Sequence, residues 1–239
     1  MTYRELSDAF DIYSNRYAES KYEKLLFFDE YEKSLFLTQA ADEIVKELLP
    51  FYDRNEKIKK QLLPITKSAH ISLSSVSSDH KIKASTLTYK VPVDVLYVVL
   101  EFLKTSGGVI IDRIKPLADD ETAYVLDNPF RTPTTRPYAY RNSLTVDSDS
   151  YAEIITSVLA NTSPVYFIRY VSTVPSFIVT NDLLDASING ASTNVDLDVT
   201  APLEMLHNKI LNKAILIAYE AKSDDVNSKV VREKASEET

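Results

Sequence analysis

Three histidines, His70, His80 and His207, are the residues best suited to proton transfer or zinc ligation in a chain of 239 residues that has no cysteine. No two of them stand at the i,i+4 spacing that sets paired imidazoles on one helical face, so the zincin pattern is missing. Without cysteine there is no disulfide, thiolate zinc site, iron–sulfur cluster or thiol nucleophile. Asp147-Ser148-Asp149 begins like a calcium loop, but Ala152 stands where the turn needs glycine and Val158 where the bidentate glutamate belongs. Asp119-Asp120-Glu121 could hold a cation, yet a helix start attracts the same acids through its dipole. Glycine occurs only at 107, 108 and 190. That leaves no material for a phosphate-cradling loop, a dinucleotide fingerprint or a nucleophile elbow. The sequence therefore predicts no catalytic, cofactor-binding or metal-binding residue, no cofactor and no enzymatic activity.

The elements behind these residues are those of a folded protein. Hydrophobic residues make up 44% and charged residues 26%, close to the globular average. The net charge of −8 is unevenly spread. Residues 1–54 carry 7 bases and 12 acids, 55–145 carry 13 and 9, and 146–204 hold Arg169 alone against eight acids. None of these blocks has the strongly basic footprint of a nucleic-acid binder. Val146–Glu204 reads either as a solvated acidic surface or as one facing an anion that must slide past without sticking. Met1–Asp8 has no basic leader before an apolar stretch. The longest apolar runs, around Val91–Leu103 and Ile210–Tyr219, fall short of the roughly 20 residues that span a bilayer. No membrane partner is expected, and the chain is expected to stay soluble in a reducing compartment or to be indifferent to one.

Apolar spacing places an amphipathic helix over 2–18, with Tyr3, Leu6, Phe10, Tyr13 and Tyr17 inward. A second helix, capped by Asp29 with Glu32 completing the box, runs to about Tyr52. Its apolar stripe (Leu37, Ala41, Ile44, Leu48) is widened by Tyr31, Leu35 and Ala40, enough to pack on two sides. A short helix over Asn55–Leu63 ends at Pro64. Strands are expected over His70–Val76, Lys81–Val91 (Leu87, Tyr89 and Val91 on one face), Val109–Ile114, Tyr138–Val146, Tyr151–Leu159, Val165–Val171 and Phe177–Val179. Helices are expected over Pro92–Lys104 and from Asp119 or Asp120 to Asp127, a loop over 181–200, and a closing helix over Pro202–Ala221. The fold class is α+β: N-terminal helices and a C-terminal helix around a mainly antiparallel β-sheet. This divides the chain into a helical region 1–67, a β-rich region 68–201, a closing helix 202–221 and a polar tail 222–239, all but the tail forming one integrated domain.

Two segments are candidate interfaces. In the loop Asn128–Pro137, Pro129, Pro133 and Pro137 pre-order the backbone, while Phe130 offers an apolar anchor beside Arg131 and Arg136. An intramolecular clamp is the alternative there. In the tail, Val226, Val230, Val231 and Ala235 are the only apolar anchors in eighteen residues. Ordering each residue costs roughly 1–2 kcal/mol of backbone entropy, so a partner surface is needed to hold it. The interface candidates are thus Asn128, Pro129, Phe130, Arg131, Pro133, Arg136, Val226, Val230 and Val231.

Several segments together resemble a known family. Asp29–Val45 is similar to the N-terminal helix signature of virion proteins from crAss-like, Bacteroidetes-infecting tailed phages. Tyr89–Tyr97 resembles that family's leucine-proline-x-aspartate-tyrosine helix start, and Asn128–Pro133 its Asn-Pro-Phe-basic-x-Pro loop. Ile168–Val179 resembles its Arg-Tyr strand pair, and Leu206–Ala214 its C-terminal His-x-x-Ile helix. The match spans residues 1–221, with Ser176 replacing a proline of the strand pair and Lys90 a bulkier residue before Pro92. The resemblance implies a structural head–tail connector or tail ring protein. It would form a homomeric ring, twelvefold if it follows the portal, and contact portal, ring or tail proteins. Phage DNA would pass through without specific binding, and the protein would reside in the virion neck or tail after synthesis in the host cytoplasm. A tail-barrel or fibre-attachment protein, or a small carboxylate- or metal-dependent phage enzyme, are the alternatives.

Overall fold

The computed structural model describes residues 1–21, 27–82, 85–105, 107–117, 138–157, 163–180 and 196–237, with backbone alone for 17–21, 138 and 223–237. Helices α1 (Tyr3–Lys21), α2 (Glu30–Leu48) and α3 (Glu56–Leu62) come first. Strands follow: β1 (Thr66–Ile71), β2 (Leu87–Lys90), β3 (Val95–Lys104), β4 (Ile110–Pro116), β5 (Tyr138–Val146), β6 (Asp149–Ile155) and β7 (Val165–Ser172). Helix α4 (His207–Glu237) ends the α+β arrangement. Two compact units result: Met1–Ile65 with Val174–Thr239, and Thr66–Thr173.

In the first unit, side chains set the helix starts. Thr2 Oγ1 accepts from the Glu5 N–H at 3.2 Å while Glu5 Oε2 accepts from the Thr2 N–H at 2.9 Å. Asp29 and Glu32 form the expected capping box, at 2.7 and 3.0 Å. Asn55 caps α3 through the Lys57 N–H. These bonds satisfy donors that have no partner inside a helix. Helix α1 buries Tyr3, Leu6, Phe10 and Ser14, whereas Tyr13, expected inward, is 42% exposed. The stripe steps from Phe10 by four residues to Ser14, whose carbonyl accepts from the Tyr219 hydroxyl at 2.9 Å. Helix α4 buries Ile210, Leu211, Ala214, Ile215, Ala218 and Tyr219, while Ala221 is exposed. Phe28 joins these helices edge-on to Phe10, Phe36 and Tyr219, at 5.5, 6.1 and 5.8 Å.

Phe177–Val179 is buried but belongs to no strand. The Phe177 N–H donates to Thr38 Oγ1 at 2.9 Å and the Val179 N–H to Ser34 Oγ at 3.1 Å. Two hydroxyls of α2 replace a neighbouring strand, which satisfies backbone that burial has cut off from water.

The second unit is one seven-stranded sheet in the order β1-β7-β3-β4-β5-β6-β2, antiparallel except for the parallel pair β4–β5. The sheet curls: its inner face gathers Ala69 and Ile71 of β1, Leu87 and Tyr89 of β2, and Leu103, Ile114, Ala139, Ile154, Tyr166 and Ile168 of the strands between. Past β1, Ser74 donates its N–H to the Thr88 carbonyl at 2.8 Å, tying the far edge of the sheet to the near one. Leu87, Tyr89 and Val91 share the core as the alternation predicts. The segment Pro92–Lys104 is not a helix: Val95–Lys104 is the strand between β7 and β4. A continuous apolar run reads alike as a buried helix or a buried strand, and two flanking strands decide it here. Truncating a fully buried residue such as Leu103 would cost about 2–5 kcal/mol. The helix expected near 119–127, the loop 128–137, the end of the strand expected to Leu159 and most of the loop 181–200 lie outside the described residues.

Candidate assembly interface

Ionisable groups buried in the fold hold elements together. In the helical unit the Lys33 ammonium, its side chain 4% exposed, lies 2.6 Å from Asp11 and 2.9 Å from Glu30. Burial alone would lower its pKa, but hydrogen bonds to the Asp11 and Glu30 carboxylates outweigh it and hold the group above the ordinary lysine value. In the sheet unit, Glu101 accepts from the Tyr166 hydroxyl at 2.6 Å and from Arg141 Nε at 2.9 Å. Burial raises the Tyr166 pKa, and the neighbouring carboxylate adds to it. Glu153 is fully buried, accepting from the Thr86 hydroxyl at 2.6 Å and the Ile82 N–H at 2.9 Å. The three histidines stand on separate elements: His70 on β1, His80 in a 3₁₀ turn, His207 at the start of α4. Among the described residues no three metal-binding side chains gather, and no helix is long and apolar enough to cross a membrane.

Exposed apolar side chains are more prominent. On α2, Tyr31 and Leu35 are 40% and 41% exposed while Leu37, Ala40 and Ala41 are buried. The widened stripe therefore divides into an inner face and an outer one. A groove of about 530 Å³ runs between α2 and α4, lined by Ile44, Leu216 and Ile217 with Glu43, Glu47 and Lys213 along it. In the sheet unit, β3 and β4 pair only from Phe102 to Lys104. A groove of about 480 Å³ opens beside that pairing, lined by Val98, Leu100, Phe102, Ile110 and Pro116 with Arg113 and Arg141. Periodicity hinted at the first surface. The second was hidden by reading β3 as a helix.

Of the interface residues expected from sequence, Asn128, Pro129, Phe130, Arg131, Pro133 and Arg136 lie outside the described residues. Val226, Val230 and Val231 fall on the backbone of α4, their side chains outside the described ones. In the acidic block, Asp149 pairs with Lys90 at 2.5 Å and Asp198 with Arg4 at 3.1 Å. Asp147 and Asp196 are exposed, and Asp182 and Asp185 lie outside the described residues.

Buried charges brace the scaffold, and apolar surface is left open on each unit, the kind of surface that marks a docking site. Comparison with known proteins gives the family. Residues 1–230 match the phage tail ring protein 3/4 family, and the chain belongs to it. Ring protein 3 of Bacteroides phage crAss001 is 29% identical over 244 residues, covering 96% of this chain and all of the relative. Ring protein 4/5 of the same phage is 26% identical over 247 residues, covering 96% and 97%. The crAss-like phage resemblance seen in the motifs is thus shown across the chain, and the protein is a structural tail ring protein rather than an enzyme.

Proposed function

We propose that this chain forms a homomeric ring in the head–tail connector or upper tail of the virion, part of the DNA conduit below the portal. Ring subunits meet head to tail, so each must present two different surfaces. The observation that carries the reading is the family match over residues 1–230. Exposed apolar grooves on each unit support it. The ring is twelvefold if it follows the portal, and its neighbours are portal, ring or tail proteins. The acidic block 146–204, with one base, suits a wall that DNA passes without adhering. The loop Asn128–Pro137 and the tail from Val226 to Val231 are proposed as contacts with neighbouring subunits or rings.

Native mass spectrometry and particle imaging of the full chain, alone and with portal-proximal partners, test this. Annular particles of one repeated subunit are expected. Monomer under every condition would overturn the ring reading.

A further inference from the structure

Strand β3 pairs with β7 from Val95 to Lys104 on one side, but with β4 only from Phe102 to Lys104 on the other. Among the described residues no strand pairs with Val95–Glu101 on the β4 side. Continued in register, that ladder would bring Val99 opposite Pro116, which has no N–H to donate. Strand β4 pairs instead with β5 from Arg113 to Pro116. The sheet is therefore split between β3 and β4, and an open strand edge is a template for another strand. The split holds the groove of about 480 Å³. Its walls are apolar, with Leu100 47% and Ile110 58% exposed beside Val98 and Pro116. Its charges do not cancel. Glu101 is taken by Arg141 Nε at 2.9 Å, their side chains 7% and 21% exposed. Arg113, opposite Phe102 where the split begins, is exposed and forms no ion pair with a described carboxylate.

Two guanidiniums against one carboxylate, between apolar walls, fit an extended segment that alternates apolar and polar residues and carries one acid. We propose that the split between β3 and β4 takes an added β-strand from a different virion protein. That strand hydrogen-bonds to the open edge of β3, sets apolar side chains against Leu100 and Ile110, and places an Asp or Glu on Arg113. Main-chain bonds along the edge supply affinity, and the carboxylate on Arg113 supplies selectivity. A second copy of this chain is a poor donor. Each of its described strands is already held in the seven-stranded sheet, whose far edges are tied by the bond from the Ser74 N–H to the Thr88 carbonyl. The inference rests on the virion reading above only for where such a partner is met.

The test uses the full chain and a synthetic peptide of alternating valine and threonine with one central glutamate, ended by prolines that stop it pairing with itself. Two further peptides carry glutamine or lysine in place of the glutamate. Backbone amide resonances of the isotope-labelled chain are followed as each peptide is added. Shifts and slowed hydrogen exchange are expected at Val98, Val99 and Leu100, with the glutamate peptide binding about tenfold tighter than the glutamine one, as a charge-assisted bond gives. Arg113→Gln, at an exposed position, should bind those two peptides equally, and Arg113→Glu should prefer the lysine peptide; thermal melting first establishes that both variants are folded. Arg141 is left in place, because removing it would strand the buried Glu101. No response at Val98–Leu100, or equal affinity of wild type for the glutamate and lysine peptides, would overturn the proposal. Oligomers of the chain alone that the glutamate peptide disperses would make a second copy the donor and overturn the assignment to a different protein. None of these readouts needs a ring, so failure here leaves the ring reading intact.

Discussion

The ammonium of Lys33 on the second helix lies 2.6 Å from the carboxylate of Asp11 on the first, which is half exposed. One buried cation thus reaches a partner that water still touches, and it joins two helices through charge as well as packing. Replacing Lys33 by Ala leaves Asp11 and Glu30 without their cation and is expected to cost about 1–3 kcal/mol in chemical denaturation. Lys33→Met, which keeps the aliphatic stem, should cost less. The Lys33 pKa is raised in the folded chain. Its contribution is then fully present below the unfolded value of about 10.4 and lost as pH rises through the folded one. Wild type should lose more stability than Lys33→Met on going above that value.

Asp112 is the opposite case. Burial raises its pKa, and its Oδ1 has no hydrogen-bond partner among the described residues. A carboxyl that binds its proton more tightly when folded stabilises the fold in acid and loses that contribution as pH rises through its folded pKa. Asp112→Asn is therefore expected to stabilise the chain by about 1 kcal/mol at pH 7. The gain should shrink toward the ordinary carboxylate range. Denaturation midpoints of both proteins across that span measure it. A gain that grows in acid would contradict the assignment.

His207 Nε2 faces the carbonyl oxygens of Ala201 and Pro202 at 3.1 and 2.9 Å. That nitrogen must carry the proton, leaving Nδ1 to accept from the Met1 ammonium at 3.0 Å. Burial lowers the His207 pKa, and the Met1 charge adds to it against the opposing pull of the Pro202 and Ala201 carbonyls and, more weakly, of Glu204. A lowered histidine stabilises above its unfolded value, and that stability is lost as pH falls toward the folded one. Below about pH 6.5, exchange protection of the Tyr3 and Arg4 amides, which bond to the Val199 and Leu197 carbonyls, should fall. His207→Gln should remove the pH dependence.

The tail has a natural cut. Lys222 Nζ sits 4.3 Å over the Phe28 ring, 3.2 Å from Glu32, and donates to the Phe27 carbonyl. Truncation after Lys222 keeps these contacts and should leave the melting temperature unchanged while weakening ring stacking. Truncation after Ala221 should cost a further ~0.5–1 kcal/mol. Hydrogen exchange over 223–237 is expected to be fast in the free subunit and slow in the assembly. Equal protection in both would show that the tail docks on its own unit.

Much of this could be read in one dimension. The capping box at Asp29 and Glu32, the helical steps of α2 and the alternation of Leu87, Tyr89 and Val91 are local patterns, and each reappears in place. The fold class and the family resemblance follow from such patterns in order along the chain. Less visible were the choices that depend on a neighbour. Tyr13 turns outward because α1 packs through Ser14. Phe177–Val179 carries strand residues but takes its partners from the hydroxyls of Ser34 and Thr38, about 140 positions earlier in the chain.

The sequence by itself determined an α+β fold class without thiol or glycine-loop chemistry, since residue types and short-range spacing suffice for that, and the family resemblance added the structural role. Only the tertiary structure decided that Val95–Lys104 is a strand between β7 and β4, and that Lys104, Arg113 and Arg169 stand around Phe102 and Phe167. An apolar run has the same composition in a buried helix and a buried strand. Its backbone hydrogen bonds, and so the face each side chain takes, come from segments far away in the chain.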